Sequence, residues 1–419
     1  MVRSIVAGAR VRPRSQLRGL DAPGYDEDEF TLAVAALDRL PAGPAPETIH
    51  LVGVGADVED WSFREALGTP TLQLHRHAAG ATSLFAALAQ AASTGGDAAE
   101  AVVAVERGSI SGGAGAVALR LGGAPGLAVL GHRERGHPEW KRPDATEWTD
   151  AGRRALGDSA NDGSGELFLS APTAPPVLLQ RWIQGMPRFP VVSAPEPDAG
   201  VGDSRTLRAA LTLHAGARGL APGGVALIAV LDPGRATSFL GTRLDAPVEW
   251  SGPWSGPPEP TAPESPPTEN VDLGAVSEGA YVPRSTYLAE LPSRWRFAAD
   301  RCGKCGHVTF PVRRFCRSCG AVDHLERVEM PRRGLEVLAA TTVAPGAQPT
   351  EFDPQVERHG AYDVVIAALA PEVRVTLQVT DGLPRTVKIG SRVDTQLRRI
   401  YAMEGEWRYG LKAVAARPP

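Results

Sequence analysis

Thiols are absent from most of this chain of 419 residues, because all four cysteines lie between positions 302 and 319. Enzymes that pass an acyl group through a thioester on the protein need a reactive cysteine. Outside the short cysteine-bearing segment, no such nucleophile exists.

Long hydrophobic runs are also absent. No apolar stretch approaches the roughly 20 residues of a membrane-spanning helix, and the apolar residues 5–9 are too few for a signal-peptide core. We therefore expect no membrane span. Cysteines confined to one metal-binding pattern fit the reducing cytoplasm, which we predict as the location.

The chain lacks a strong charge of either sign. It carries 44 Lys and Arg against 48 Asp and Glu, a net charge of −4. This balance argues against a nucleic-acid footprint spread over the whole molecule. The length suggests two or three domains with ample core.

The cysteines form two CxxC pairs, Cys302 with Cys305 and Cys316 with Cys319, with ten residues between the pairs. Two such knuckles can fold over one tetrahedral Zn²⁺, each supplying two thiolates. Four thiolates leave no open coordination position, so the predicted zinc is structural. The alternative is four unrelated buried or disulfide-bonded cysteines.

Proline marks the clearest boundary, since residues 247–268 read PVEWSGPWSGPPEPTAPESPPT. Proline at this density disfavours helix and central strand and favours an extended spacer. Trp250 and Trp254 are unusual in a solvated spacer, and we expect them to pack on a neighbouring domain. The predicted parts are a domain at 1–246, a linker at 247–280, a segment with the zinc ribbon at 281–330 and a barrel at 331–419.

Strand and helix patterns alternate before the linker. An acidic run at 26–29 lies at the start of the first helix, and we interpret it only as a helix-start cap. The alternation predicts a layered α/β domain with a mixed sheet. The predicted strands are 49–54, 101–107, 116–121 and 225–231, and the predicted helices are 29–40, 81–92 and 206–218.

Short β-like runs punctuated by glycine and proline follow the ribbon. Such spacing predicts a small closed or nearly closed barrel. The runs are 334–342, 362–369, 373–379, 385–389, 391–400 and 406–414.

From about residue 281 the sequence resembles the zinc-ribbon plus OB-fold family often labelled DUF35. The resemblance lies in CGKCGHVTFPVRRFCRSCG, GLEVLAATT, AYDVVIAAL, VKIGSRV and WRYGLKA. It implies a barrel that binds acyl-CoA and bridges thiolase-like partner enzymes.

The part before the linker resembles archaeal-type hydroxymethylglutaryl-CoA synthases of the thiolase superfamily. The resemblance lies in PGYDEDEFT (23–31), AAG (78–80), GAGAVALRLG (113–122), PEWKRPD (138–144) and APGGVALIAVLDPGRATSF (221–239). It implies a thiolase-like layered α/β domain, here fused to the usual accessory protein of such synthases.

The catalytic positions that the resemblance implies are vacant. His77 stands where the family has its cysteine nucleophile. No acidic residue lies between Arg107 and Arg120, where a glutamate base is expected, and no histidine lies between His137 and His214. We therefore assign no catalytic residue.

His77 has two readings. It can fill the space of the lost thiol and hydrogen-bond a neighbour, or it can act as a general base or nucleophile in a different reaction. No acidic partner is evident nearby in the sequence, which favours the filling role.

Four residues are candidates for binding CoA. Arg313 and Arg314 belong to a basic cluster in the ribbon that could hold phosphates. Tyr362 and Lys388 fall in the motifs of the resemblance and are candidates for the CoA pocket. The alternatives are a solvated ribbon face or a protein-docking surface for the arginines, a core tyrosine and a turn lysine.

These observations predict a non-catalytic, synthase-like subunit with an acyl-CoA-binding module. It would scaffold or bridge an active thiolase-superfamily partner in acyl-CoA condensation or acyl transfer, as a hetero-oligomer or a self-dimer. The alternative is a subunit of a cysteine-independent thiolase-like enzyme, a retro-aldolase or C-acyltransferase acting on CoA- or carrier-linked substrates. Nucleic-acid binding through the barrel is not expected, because its strands carry few aromatic residues.

Overall fold

The computed structural model describes residues 3–13, 15–17, 20–22, 26–94, 98–108, 113–136, 151, 154–155, 166–170, 191–192, 201, 204–232, 236–252, 254, 282–382, 384–403 and 405–416. The motif at 138–144 and the linker residues 255–281 lie outside this set.

The N-terminal part alternates strands and helices, as predicted. Its elements are β1 (Ser4–Val11), β2 (Ser15–Leu17), β3 (Leu20–Ala22), α1 (Glu29–Asp38), β4 (Thr48–Val52), α2 (Asp60–Leu67), β5 (Gln73–His77), α3 (Ala81–Ser93), β6 (Glu100–Arg107), β7 (Ala114–Gly122), β8 (Leu127–Gly136), β9 (Glu166–Ser170), β10 (Val191–Val192), α4 (Arg205–Gly219), β11 (Val225–Asp232), β12 (Ala236–Leu244) and β13 (Glu249–Ser251).

The large sheet is an internal repeat. Its first half has the spatial order β5-β4-β6-β7-β1 and its second half the order β10-β9-β11-β12-β8. In each half the first three strands pair in parallel and the last two pairings are antiparallel. The halves meet where β1 pairs with β8.

Helices α3 and α4 occupy equivalent places in the two halves and pack against each other. α3 buries small side chains, among them Ala87 and Ala91, which let the two helices approach closely. The helix predicted at 81–92 is therefore observed, and it belongs to the buried core.

The first residues after position 246 still belong to the sheet, because β13 pairs in parallel with β1. Trp250 covers Gly8, and a Cβ at Gly8 would lie 2.3 Å from the indole ring. Trp254 stacks on His214 at 4.4 Å between ring centroids. Both tryptophans therefore pack on the N-terminal domain, as expected.

The C-terminal part begins with two short helices and the zinc ribbon, followed by the barrel. The elements are α5 (Arg284–Ala289), α6 (Leu291–Arg296), β14 (Ala298–Cys302), β15 (Val308–Thr309), β16 (Leu325–Glu329), β17 (Leu335–Val343), a 3-10 turn (Thr350–Phe352), α7 (Asp353–His359), β18 (Tyr362–Ala370), β19 (Val373–Gln378), β20 (Arg392–Met403) and β21 (Glu406–Ala415).

The barrel has the strand order β19-β18-β17-β20-β21, and a bridge between Val379 and Ala413 joins its two edge strands. The prediction of a nearly closed barrel is confirmed. The predicted strand at 385–389 is wrong, because this segment is a turn in which Arg385 has a φ of 68°.

The barrel and α6 cover α1, whose other side lies on the sheet. As a result nearly all of α1 is buried, and one hydrophobic core runs from the sheet through α1 into the barrel. Phe30 of α1 contacts Trp295 and Tyr409 with ring centroids 5.6 and 5.2 Å apart.

The acidic run before α1 is part of this junction. Asp28 caps α1 through the backbone N–H of Thr31 at 2.9 Å, which confirms the cap. Asp26 is also buried and pairs with Lys412 at 2.9 Å, and Glu27 pairs with Arg398 at 2.9 Å. The interpretation of this run as a helix cap alone was therefore wrong, since the run anchors the barrel.

Candidate functional site

The four cysteines meet in one cage. Their sulfur atoms lie within 4.8 Å of one another, and the Cys302–Cys319 and Cys305–Cys316 sulfur distances are both 3.6 Å. Zn–S bonds of about 2.3 Å place the corners of a tetrahedron about 3.8 Å apart. The cysteines are free, without a disulfide, so the cage fits structural zinc.

Tight turns build the cage. The N–H of Gly306 donates to the Cys302 carbonyl at 2.8 Å, and the N–H of Gly320 to the Cys316 carbonyl at 2.9 Å. Both glycines have a positive φ, 75° for Gly306 and 73° for Gly320. Residues with a side chain rarely adopt this backbone conformation.

The electrostatics of the cage call for a cation. The backbone N–H of Cys319 helps to lower the pKa of Cys316 to about 6, favouring its thiolate. The backbone N–H of Ala321 lowers the pKa of Cys319, yet the crowded sulfurs raise it to about 11. A dication at the centre would remove this repulsion.

A cavity of about 430 Å³ lies between the helices α5 and α6 and the barrel. Its walls are mostly apolar and aromatic, and it lies within the usual size range for small-molecule sites. The apolar and aromatic lining includes Tyr287, Phe297, Phe310, Phe352, Tyr362, Val364, Val375, Leu377, Ile400 and Tyr401.

Gln378 brings an unpaired amide to this cavity. Its Oε1 and Nε2 atoms are both buried, and neither has a hydrogen-bond partner among the described residues. A buried polar group without a partner costs about 1–3 kcal/mol. A ligand with an adjacent N–H and C=O, such as a secondary amide, would recover this energy.

The predicted CoA residues lie at different distances from the cavity. Tyr362 lines it, and burial raises the pKa of its hydroxyl, which stays a neutral donor. Arg313 approaches the cavity margin, where its Nη1 lies 3.8 Å from Glu290. Arg314 and Lys388 are exposed and do not line the cavity.

A second cavity, of about 310 Å³, lies at the junction of the two parts. Its arginines already bind protein groups. Arg332 makes a bidentate pair with Asp38 at 3.0 and 3.1 Å, and Arg333 donates to the Asp38 carbonyl at 2.5 Å. This cavity is therefore a weaker candidate for an anion site.

His77 ends β5, three residues before Gly80, the N-cap of α3. Its Nε2 lies 3.2 Å from Nδ1 of His50, which is 1% exposed on the neighbouring strand β4. The other nitrogen of His50, Nε2, lies 3.2 Å from Oε2 of Glu100. His77 thus has an acidic partner, reached through a second imidazole.

Glu100 is buried, and two other residues also bind its carboxylate. Arg3 pairs with its Oε1 at 2.6 Å, and the Thr94 hydroxyl also donates to it. Sequence reasoning missed His50 and Glu100 because they come from different strands. The usable signal was a lone histidine inside the apolar strand IHLV and a glutamate opening the strand EAVVAVE.

His50 and His77 both favour the neutral form. Burial lowers the pKa of His50, although Glu100 opposes the shift. Burial also lowers the pKa of His77, with a further contribution from His75.

Known proteins match the C-terminal part. The family profile of the ChsH2 rubredoxin-like zinc ribbon domain matches residues 291–323. A DUF35 domain-containing scaffold protein of Methanocaldococcus jannaschii is 30% identical over 110 residues, which are 26% of this chain and 73% of that protein. The chain belongs to the DUF35 domain-containing scaffold proteins. A DUF35 scaffold protein of Methanothermobacter thermautotrophicus is 27% identical over 124 residues, 29% of this chain and 88% of the relative.

Solved structures resemble this DUF35 protein over its N-terminal part. The acyltransferase ChlB3 is 16% identical with a TM-score of 0.46, covering 60% of this chain and 100% of its own. The 3-oxoacyl-(acyl carrier protein) synthase III of Pseudomonas aeruginosa is 17% identical with a TM-score of 0.44, covering 59% and 99%. The N-terminal domain has a thiolase-like α/β fold.

Across the described residues of this DUF35 protein, no helix has the length and apolar character needed to span a membrane.

Proposed function

We propose that this DUF35 protein is a non-catalytic, synthase-like scaffold subunit that binds acyl-CoA in its barrel cavity. It presents the acyl thioester to an active thiolase-superfamily partner for condensation or acyl transfer. The scaffold role is consistent with the name of its relatives. The absence of catalysis is consistent with the position of all four cysteines in the zinc cage.

The unpaired Gln378 amide is the observation that carries the proposal. The pantetheine arm of CoA contains secondary amides, whose N–H and C=O match the two free atoms of Gln378. The acyl chain would lie against the apolar and aromatic wall near Tyr362. Arg313 and Arg314 would bind the phosphates of CoA outside the cavity. Lys388 would contact a part of CoA that lies farther from the cavity.

The partner supplies what this chain lacks. A thioester-bound acyl intermediate needs a cysteine of lowered pKa, and here each cysteine belongs to the zinc cage. We propose a hetero-oligomer in which the partner brings this cysteine.

Calorimetric titration of the full chain with acetyl-CoA tests the cavity. Thr376 is exposed and lines the cavity, so Thr376→Trp should fill it without disturbing the core. The matched control is Thr341→Trp, at an exposed strand position outside the cavity lining. We expect binding by the wild type and the control and loss of binding in Thr376→Trp; equal binding by all three contradicts the proposal.

An acyl-transfer assay tests whether the chain alone is non-catalytic. The pure chain, given acetyl-CoA and acetoacetyl-CoA, should show no turnover, and activity should require the co-purified partner. Robust acyl transfer by the pure chain would overturn the assignment.

A further inference from the structure

We propose that the barrel cavity selects acyl-CoA thioesters whose acyl group is aromatic, with the carbonyl attached directly to the ring. This inference rests on the proposed acyl-CoA role and names the class of acyl group. It depends on the aromatic rings of the cavity and on two tyrosine hydroxyls that line it.

Aromatic rings from separate elements meet in the cavity: Phe310 of the zinc ribbon, Phe352 of the 3-10 turn, Tyr362 of β18 and Tyr401 of β20. The ring centroid of Phe352 lies 5.8 Å from that of Tyr362 and 5.9 Å from that of Tyr401. The ring planes are inclined by 46° and 77°, so these rings do not stack face to face. We call Phe352, Tyr362 and Tyr401 the ring corner.

Several of these rings keep exposed surface in the cavity. Phe310, Phe352 and Tyr401 are only half-buried, although all three line it. Any apolar acyl group would cover this surface. An aromatic group would in addition gain the attraction between ring faces and ring edges, which exceeds the gain from buried area alone. The ring corner therefore favours an aromatic acyl group over an aliphatic one of the same size.

The two tyrosines of the ring corner also bring hydroxyls to the cavity. Among the residues that the structure describes, neither Tyr362 nor Tyr401 makes a hydrogen bond through its hydroxyl. Burial raises the pKa of both hydroxyls, so each stays a neutral donor at neutral pH. A carbonyl oxygen can accept such a hydrogen bond. In an aroyl thioester this oxygen lies next to the ring, so one planar group would match both the rings and the hydroxyls.

Calorimetric titration of the full chain with matched thioesters tests the choice of acyl group. Benzoyl-CoA, cyclohexanecarbonyl-CoA and heptanoyl-CoA have the same number of acyl carbons, but only the first is aromatic. We expect benzoyl-CoA to bind about tenfold more tightly than either of the others. Benzoyl-CoA binding no more tightly than cyclohexanecarbonyl-CoA overturns the inference and leaves the acyl-CoA role standing. Absence of binding by all three, and by acetyl-CoA, overturns both.

Removing one ring tests the ring corner. Phe352→Leu keeps an apolar side chain, and the ratio of benzoyl-CoA affinity to heptanoyl-CoA affinity should fall about fivefold. Both affinities come from the same protein sample, so a partial loss of folded protein does not change their ratio. The matched control is Phe315→Leu, because Phe315 is 50% exposed on the ribbon and does not line the cavity. It should keep the wild-type ratio; an unchanged ratio in Phe352→Leu contradicts the ring corner.

Removing the hydroxyls separates them from the rings. The double variant Tyr362→Phe with Tyr401→Phe keeps both rings. It should weaken all three thioesters by a similar factor of about five, because each has the same carbonyl group. The preference for benzoyl-CoA should remain. Unchanged affinities in this variant contradict the role of the hydroxyls.

Saturation-transfer NMR with benzoyl-CoA places the ring without relying on affinities. Irradiation of the protein should transfer more saturation to the benzoyl protons than to the adenine protons. The benzoyl transfer should vanish in Thr376→Trp, since Thr376 lines the cavity. Transfer to the adenine protons alone, or benzoyl transfer that persists in Thr376→Trp, would place the ring outside this cavity and overturn the inference.

Discussion

Replacing Gln378 by leucine should stabilise the protein while weakening ligand binding. The amide has two buried atoms without partners, and leucine fills a similar volume with no polar atom. Removing a buried unpaired polar group returns about 1–3 kcal/mol of unfolding free energy. In the complex the same amide would be paired, so its loss should weaken acyl-CoA binding about tenfold or more, because 1.4 kcal/mol is a factor of ten.

The assays are urea unfolding followed by tryptophan fluorescence and calorimetric titration with acetyl-CoA. Gln90→Leu, at an exposed position on α3, is the matched control and should change neither quantity. The reasoning is refuted if Gln378→Leu destabilises the protein, or if it binds acetyl-CoA as tightly as the wild type.

Three further predictions concern the architecture. Burial would raise the pKa of Asp26, but Lys412 and Arg398 lower it to about 2; the native pKa therefore lies below the unfolded one, and this stability is complete above about pH 5 and fades as the pH falls towards 2. Lys412→Met should cost about 3–5 kcal/mol at neutral pH, and urea unfolding should show that its deficit shrinks at pH 3; a deficit independent of pH contradicts the pairing. Elemental analysis should find one zinc per chain, and Cys316→Ser should lose the metal and the ribbon amide signals in NMR while the signals of the N-terminal sheet remain. Gly8→Val should overpack against Trp250 and cost about 1–3 kcal/mol, measured by urea unfolding, with partial recovery when Trp250→Ala is added.

Local patterns were enough for the elements that bury themselves within one domain. The predicted helix at 81–92 is observed as Ala81–Ser93, and the predicted strand at 225–231 as Val225–Asp232. Apolar periodicity decides such elements, because each packs against its near neighbours. The zinc cage was predictable for a similar reason, because all four ligands lie in one short segment with a characteristic spacing.

Local sequence patterns could not predict interactions between distant segments of the chain. Asp26 pairs with Lys412, which lies 386 positions away in the chain. No local sequence pattern predicts such a pair. His50, His77 and Glu100 come together only because β5, β4 and β6 are neighbours in the sheet. The segment 385–389 has the alternation of a strand, yet the left-handed backbone at Arg385 makes it a turn.

Intact-protein mass spectrometry after incubation with acetyl-CoA, read beside calorimetric binding, tests the central claim most directly. The account predicts reversible binding of one acetyl-CoA per chain and an unchanged protein mass. An acetyl group trapped covalently on a peptide from residues 1–246 would contradict it.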